Sequence, residues 1–373
     1  MGHTCEDSPH HRILHSGVVF PESRGILQQL RWENESAKEL KIPWTSEPFA
    51  VSRWLPDSQR NPVSRVMALI ASRIAYYRWL FRLQQEFDVF ILRYSPFDPM
   101  QLAFLLFFRR PVAFVHHVKE SEEIRLRARR GWKFLQSLDQ YLGWLSYRFA
   151  HSCIAVTREI LDYETKRFGV DLDKGYVYPN GGSPHMDPVA DERGSTPHVV
   201  AVASSWSRQS LGLDLILKAL NSSKEQFVLD IVGSVPPQIV AAQKTDSRVV
   251  FHGPLDYPEL ARVYQEAWIG LAGMGWHRLH METSRSLKVR DYLTHGIPVY
   301  ASSRDVFPTD FPFYVLGEVA FDTILEKARE FRSFTRLEVA TAAHPFVSKT
   351  ALLDTLYRQI SATVPPPRVR PNR

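Results

Sequence analysis

Short runs rich in valine, isoleucine and phenylalanine recur along this chain, and between them lie longer stretches in which apolar residues follow helical spacing. In the first half the runs are RILHSGVVF (12–20), DVFILRY (88–94), PVAFVHHV (111–118), SCIAVT (152–157) and GYVYPN (175–180). In the second half they are HVVAVASS (198–205), FVLDIVGS (227–234), RVVFHG (248–253), WIGLAGM (268–274) and GIPVYAS (296–302). Near-continuous apolar runs alternating with helices predict strands buried on both faces, as in a parallel sheet covered by helices. Two successive series predict an α/β chain of two facing, Rossmann-like doubly wound domains. With 373 residues the chain also exceeds one ordinary core.

The segment NGGSPHMDPVADERGSTP (180–197) has linker composition. We therefore expect a first domain over 1–183, a second over 184–345, a helix over 346–363 returning to the first domain, and a disordered tail at 364–373. In doubly wound folds ligands bind beyond the carboxyl ends of the strands, where strand order reverses. A cleft between two such domains is the expected site, and the informative residues are those just after each strand.

Composition narrows the function classes. A 44% hydrophobic and 12% aromatic content is that of a globular protein. Cys5 and Cys153 have neither metal-ligand spacing nor a disulfide framework, which fits a reducing cytoplasm. The polar start MGHTCEDSPHHR leads into no long apolar region, so no secretory signal is expected. The longest apolar run, MQLAFLLFF (100–108), covers half a membrane span. The formal charge of +6 suits a phosphate-bearing partner without choosing among nucleotides, nucleic acid and anionic lipid. The basic residues are dispersed among acids and no nucleic-acid-binding motif is present, so no nucleic acid is expected. No G-x-G-x-x-G follows any strand, which disfavours a dinucleotide oxidoreductase, and no cofactor is expected.

The stretch SRSLKVRDYLTHGIPVY (284–300) concentrates chemistry ahead of a buried strand. It predicts a helix capped by Thr283 or Ser284 and ended by His295-Gly296. A helix start with free N–H groups suits a phosphate, Ser286 adds a hydroxyl, and Lys288 and Arg290 add charge. A carboxylate such as Asp291 can hold both hydroxyls of a ribose. By themselves these residues read better as the solvated face of a helix.

SLKVRDYLTHGIPVYAS resembles the nucleotide-sugar-binding segment of retaining GT-B glycosyltransferases of the family-4 type (glycosyl transferases group 1). LGLDLILKAL, FVLDIVG and VVFHGPLDYPELARVYQEAWIGL resemble further parts of that family's second domain, and FVHHVKESEE and YVYPNGG parts of its first. The resemblance covers roughly residues 85–302. It implies a nucleotide-diphospho sugar donor, transfer with retention, and a saccharide or lipid-linked acceptor in cell-surface polysaccharide synthesis. Ser286, Leu287 and Lys288 would face the donor phosphates and Asp291 would hold the ribose.

Three positions depart from the family pattern. Leu211 stands in the slot of a diphosphate-binding lysine, leaving Arg208 as the cation of that loop. Thr283 stands where a second acidic residue is usual, and Asp291 is one methylene shorter than the usual glutamate. These departures keep a second reading open: a catalytically inactive nucleotide-sugar- or glycan-binding protein on the same fold.

Glycosyl transfer needs the leaving diphosphate stabilised, the acceptor positioned and water excluded. Arg208 and Lys288 are expected to share the phosphates. Gly233, Phe251 and Gly253 are expected along the base and diphosphate, and Gly25 where backbone approaches the donor. His116 and His117 end a strand of the first domain, and period-two alternation lets one of them face the site. Arg24, Arg93, Tyr94 and Glu120 are the acceptor-binding candidates. The pair Asp171 and Asp173 precedes a strand instead of following one and reads as a loop pair, so no metal is expected.

Residues 124–149 plot as one amphipathic helix. Phe134, Leu135, Leu138, Tyr141, Leu142, Leu145 and Phe149 share an arc, and Arg125, Arg129, Arg130, Lys133 and Arg148 lie opposite. The pattern suits an ordinary domain helix with a solvated basic face, or peripheral contact with an anionic membrane at its cytoplasmic side.

Overall fold

The computed structural model describes residues 11–19, 24–50, 62–127, 131–185, 187–243, 245–305 and 307–365. The strands are β1 (Ile13–Val19), β2 (Trp44–Ala50), β3 (Val89–Arg93), β4 (Val112–His116), β5 (Ser152–Ala155), β6 (Gly175–Val177), β7 (His198–Ser205), β8 (Val228–Ser234), β9 (Val249–Gly253), β10 (Ile269–Ala272), β11 (Val299–Ala301) and β12 (Tyr314–Leu316). The helices are α1 (Arg24–Leu40), α2 (Pro62–Leu83), α3 (Pro99–Phe107), α4 (Glu120–Arg127), α5 (Trp132–Tyr147), α6 (Arg158–Phe168), α7 (Leu213–Leu220), α8 (Pro237–Gln243), α9 (Tyr257–Glu266), α10 (Leu287–Thr294), α11 (Phe321–Phe331), α12 (Arg336–Val347) and α13 (Lys349–Thr363).

Two six-stranded sheets result, ordered β2-β1-β3-β4-β5-β6 and β12-β11-β10-β7-β8-β9. Every pairing within the sheets is parallel. This is the doubly wound α/β architecture that the alternating runs predict. Each of the ten expected strands is present. The two edge strands β2 and β12 lie outside the predicted set. WTSEPFA carries polar residues and a proline, which an edge tolerates, and β12 is three residues long.

The chain divides into two compact units, residues 1–179 with 350–373, and residues 180–349. The first contains β1–β6. Its core includes Ile13, Val89, Ile91, Val115 and Ile154 from the strands, joined by Leu353, Leu356, Tyr357 and Ile360 of α13. The second contains β7–β12, with Val199, Val200, Leu229, Ile231, Ile269 and Leu271 at its centre.

One expected helix is two. Gly131 has φ 73°, a left-handed conformation that interrupts helical backbone, and α4 and α5 lie on either side of it. The burial of α5 also departs from its apolar arc. Its inward positions are Asp139, Gly143, Ser146 and Tyr147, whereas Phe134 is 71% exposed, Tyr141 59% and Phe149 50%. Two contacts turn the polar side inward. Arg167 pairs with the buried Asp139. A methyl group on Gly143 would lie 2.0 Å from the Phe168 ring and 2.7 Å from Tyr94 Oη, so only glycine lets α5 approach this closely.

Candidate functional site

In the second unit strand order reverses between β10 and β7. The segments leaving those strands, around 204–212 and 273–280, therefore flank the place where such sheets bind ligands. Arg278 links them: its guanidinium donates to the Gln209 carbonyl at 2.7 Å and to both carboxylate oxygens of Asp214 at 2.9 and 2.6 Å. Arg208 is exposed, just ahead of the short helical turn Gln209–Leu211. Leu211, in the slot where the resembled family places a lysine, is half-buried against the core.

α10 is held down on this sheet by its own sequence. Val289, Tyr292 and Leu293 are fully buried, each apolar side chain contributing about 1.5–3 kcal/mol. Gly270 of β10 makes room for the Tyr292 ring, which would stand 2.5 Å from an added Cβ. Tyr292 Oη accepts from the Val202 N–H at 2.9 Å, tying the helix to the end of β7. The helix starts later than predicted. Ser286, not Thr283 or Ser284, is its N-cap, and the Ser286 side chain makes no capping bond. Thr283 and Ser284 instead run alongside Arg304 as extended chain.

The charges of the helix separate into three fates. Arg290 is fully buried, pairs with both oxygens of Asp305 and donates to the Asn180 carbonyl at 3.0 Å. The expectation that it adds charge at the helix start is thus corrected. Lys288 is half-buried, with Nζ 5.1 Å from the centre of the Trp206 ring, and burial lowers its pKa to about 8. Asp291 is half-buried, and Tyr264 Oη donates to its Oδ2 at 2.6 Å. His295 Nδ1 lies 2.7 Å from the Asp291 carbonyl, an acceptor only, so Nδ1 carries the proton. Its Nε2 then accepts from Tyr257 Oη at 2.7 Å.

Leu287 opens α10 and is half-buried. Gly233 ends β8 with φ 115°, and a Cβ there would stand 1.6 Å from the Ala203 carbonyl oxygen, so its backbone meets Ala203. Gly253 has φ 69° and open space beside it. Phe251 packs against the core of the unit.

In the first unit the order reverses between β1 and β3. Arg24 and Gly25 open α1, and Gly25 is exposed. The side chain of Arg24 lies outside the described residues, as do Cys5, Arg129, Arg130 and residues 366–373. Arg93 is half-buried at the end of β3. Tyr94, expected to meet an acceptor, is 4% exposed and its hydroxyl donates to Asp139 at 3.1 Å. Glu120 is likewise buried, with Oε2 2.8 Å from His116 Nδ1. His116 is fully buried and its Nε2 lies 2.7 Å from Tyr147 Oη. His117 keeps partial exposure. Burial and the nearby charge of Arg93 hold its pKa well below the ordinary range, so it is neutral at pH 7. Asp171 and Asp173 lie at the short turn Leu172–Lys174 before β6.

The sequence reading missed several partners. Tyr264, Tyr257 and His295 build the setting of Asp291, and Trp206 that of Lys288. His15 and Glu33, joined at 2.6 Å, lie near enough to act on His117. A buried aromatic hydroxyl carries no spacing signal, so these contacts appear only once the helices are packed.

Comparison with solved structures follows from this topology. The lipopolysaccharide outer core galactosyltransferase WaaB, apo form, aligns with TM-score 0.59 and 12% identity over 94% of this chain and 99% of that one. Sucrose-phosphate synthase from Thermosynechococcus elongatus aligns with TM-score 0.66 and 14% identity over 95% and 100%. Anabaena HepE in complex with UDP and glucose aligns with TM-score 0.63 and 12% identity over 95% and 100%. The chain has the GT-B fold. No protein-family model matches it, and no curated protein matches it.

Proposed function

We propose that the protein is a retaining glycosyltransferase. In this reading a nucleotide-diphospho sugar is the donor, and a saccharide or lipid-linked acceptor of cell-surface polysaccharide synthesis receives the sugar. The observation that carries the reading is the layout of α10. Its capping serine leaves its hydroxyl to a ligand, Lys288 stands within the first turn, and Asp291 follows one turn later with its carboxylate oriented by Tyr264. That order suits phosphates at the helix start and ribose hydroxyls beside the carboxylate. The solved HepE complexes with UDP, with UDP and glucose, and with UDP-glucose support the donor class.

In the proposed mechanism charge grows on the diphosphate as the sugar departs. Lys288, Arg208 and the first N–H groups of α10 meet that charge without a metal. Ser286 and Leu287 line the phosphates, and Gly233, Gly253, Phe251 and Gly25 border the donor. His117, neutral and partly accessible, is the histidine assigned to the reacting centre, and His116 supports it from below. Arg93 and Arg24 are assigned to the acceptor, with Tyr94 and Glu120 acting only through the packing beneath them. Peripheral contact with an anionic membrane at its cytoplasmic face is assigned to α5. Among the described residues no helix is long and apolar enough to cross a membrane.

The inactive-binder reading is favoured by one observation: Leu211 brings no charge to its loop, and Arg278 of the facing segment is engaged by Asp214. The deciding experiment is a thermal-shift panel of nucleoside diphosphates and their sugars, followed by nucleoside-diphosphate release. A true ligand raises Tm with the logarithm of its concentration over Kd. A binder that never turns over its donor, with water or with any saccharide or lipid-linked acceptor, is the inactive protein. A chain that binds no nucleotide overturns both readings.

A further inference from the structure

Beneath the first sheet three acidic side chains are buried together. Asp139 and Glu164 are fully buried and Glu120 is 7% exposed. One guanidinium, Arg167, serves two of them: it pairs with Asp139 and donates to Glu164 Oε2 at 2.9 Å. Lys119, next to Glu120, donates to Glu159 at 2.7 Å. Among the described residues the count inside is three carboxylates against one cation. Buried charge left uncompensated costs several kcal/mol, so something positive is required here.

Its position is marked. His116 Nδ1, a Glu120 oxygen and a Glu164 oxygen lie within 4.8 Å of one another. Glu164 Oε1 is buried without a hydrogen-bond partner. We propose that His116, Glu120 and Glu164 bind a divalent cation of the zinc class, which joins the end of β4 to α4 and α6. Nitrogen with two carboxylates is a donor set such ions accept, with bonds of about 2.0–2.2 Å. His116 binding through Nδ1 leaves Nε2–H to donate to Tyr147 Oη, an outer hydrogen bond of the kind that fixes a ligand's tautomer. Two positive charges from the ion and one from Arg167 balance the three carboxylates. A water or the second oxygen of Glu120 completes the shell. His116 directly precedes His117, so the ion would fix the turn that carries it. The site is independent of the proposed donor chemistry in the second unit.

The competing solution is two protons on the carboxyls, and the experiment separates the two. The full chain is purified without a histidine tag, equilibrated with zinc, dialysed against metal-free buffer and analysed by plasma mass spectrometry. We expect about one zinc per chain, and a Tm that falls by roughly 5 °C or more on chelation. Glu164→Gln and Glu120→Gln, which keep the side-chain shapes, should each lose the ion and the chelator effect. Should either variant fail to fold, cobalt loading of the parent replaces it, and visible d–d absorption below a 1:1 ratio is then expected. A parent that retains no metal and takes up no cobalt overturns the proposal. So does zinc retained equally by both variants, because the ion then sits elsewhere.

Discussion

Tyr264 Oη lies 2.6 Å from Asp291 Oδ2 and donates to it. Burial and the Asp291 carboxylate hold the Tyr264 phenol well above its ordinary pKa, so it stays a donor across the working pH range. The aspartate is thus oriented from α9, while its other oxygen lies 3.5 Å from His295 Nδ1. Asp291→Asn keeps this shape and removes the charge. Affinity for the cognate nucleoside diphosphate should fall by about 1–3 kcal/mol, roughly 5- to 150-fold, in titration calorimetry. Unchanged affinity would mean that Asp291 serves only to hold α9 against α10.

Gly233 is the residue least replaceable on backbone grounds. Its φ of 115° is disfavoured for any side chain, and a Cβ would stand 1.6 Å from the Ala203 carbonyl oxygen. Gly233→Ala should destabilise the protein by on the order of 3 kcal/mol or more, seen as a lowered urea midpoint. A variant as stable as the parent would show that β8 and the segment after β7 can part without cost.

The two basic residues of α10 should fail differently. Arg290 and Asp305 are both fully buried and paired. Removing the guanidinium replaces a two-point buried ion pair with the looser approach of Arg285 to Asp305 at 3.8 Å, so Arg290→Met should cost about 3 kcal/mol of stability. Lys288→Met removes a cation whose burial is already unfavourable, and should leave stability near that of the parent while weakening anion binding. Chemical denaturation of both variants, with calorimetry on the second, checks the pair. Equal stability losses would put Lys288 in the scaffold.

Much of the architecture was legible because it rests on periodicity. The ten long apolar runs are strands, and the reversal of order in each sheet follows from the doubly wound pattern. The site was legible as a segment but not as contacts. Arg290 and Lys288 are two residues apart and look alike in sequence. Only the return of Asp305 to one side of α10 makes the first structural. The helix expected at 124–149 was misread for a related reason. Hydrophobic periodicity identifies an apolar face, but Asp139 and Gly143 turned the face beside it inward through Arg167, Tyr94 and Phe168, all distant in sequence, and left the arc's leucines half-buried.

That rotation leaves Phe134, Tyr141, Trp144 and Phe149 outward, with Lys133 and with Arg148 stacked on Trp144 at 4.8 Å. Aromatic residues flanked by basic ones suit the interface of an anionic bilayer. The protein should co-sediment with vesicles containing phosphatidylglycerol more than with pure phosphatidylcholine, and less at high salt, each cation near the surface being worth about 1 kcal/mol. The double variant Phe134→Glu, Trp144→Glu should lose this binding and keep its nucleotide affinity. Equal sedimentation with both vesicle types would remove α5 from the membrane assignment.

The sharpest test of the donor site is its dependence on pH. Burial beside Trp206 lowers the Lys288 pKa to about 8 in the free protein. A bound diphosphate stabilises the ammonium and raises that pKa, so binding is coupled to proton uptake once the free lysine begins to lose its proton. Below about pH 7.5 the cation is already present and affinity should be flat in this respect. Above pH 8 affinity should fall, by at most about tenfold per pH unit, until the pKa of the complex is reached. The neighbouring phenols and the ligand's phosphate are silent in this window. The Tyr257 and Tyr264 phenols are pushed above it, and a phosphate's own second ionisation lies near 6, below it. Calorimetry with a nucleoside diphosphate between pH 7.5 and 9.5 reads the slope, in buffers of differing ionisation enthalpy that also report the proton taken up. Lys288→Met should bind more weakly at pH 7.5 and show no slope. A parent whose affinity stays constant to pH 9.5 would place the phosphates away from Lys288, and with them the proposed use of the α10 N-terminus.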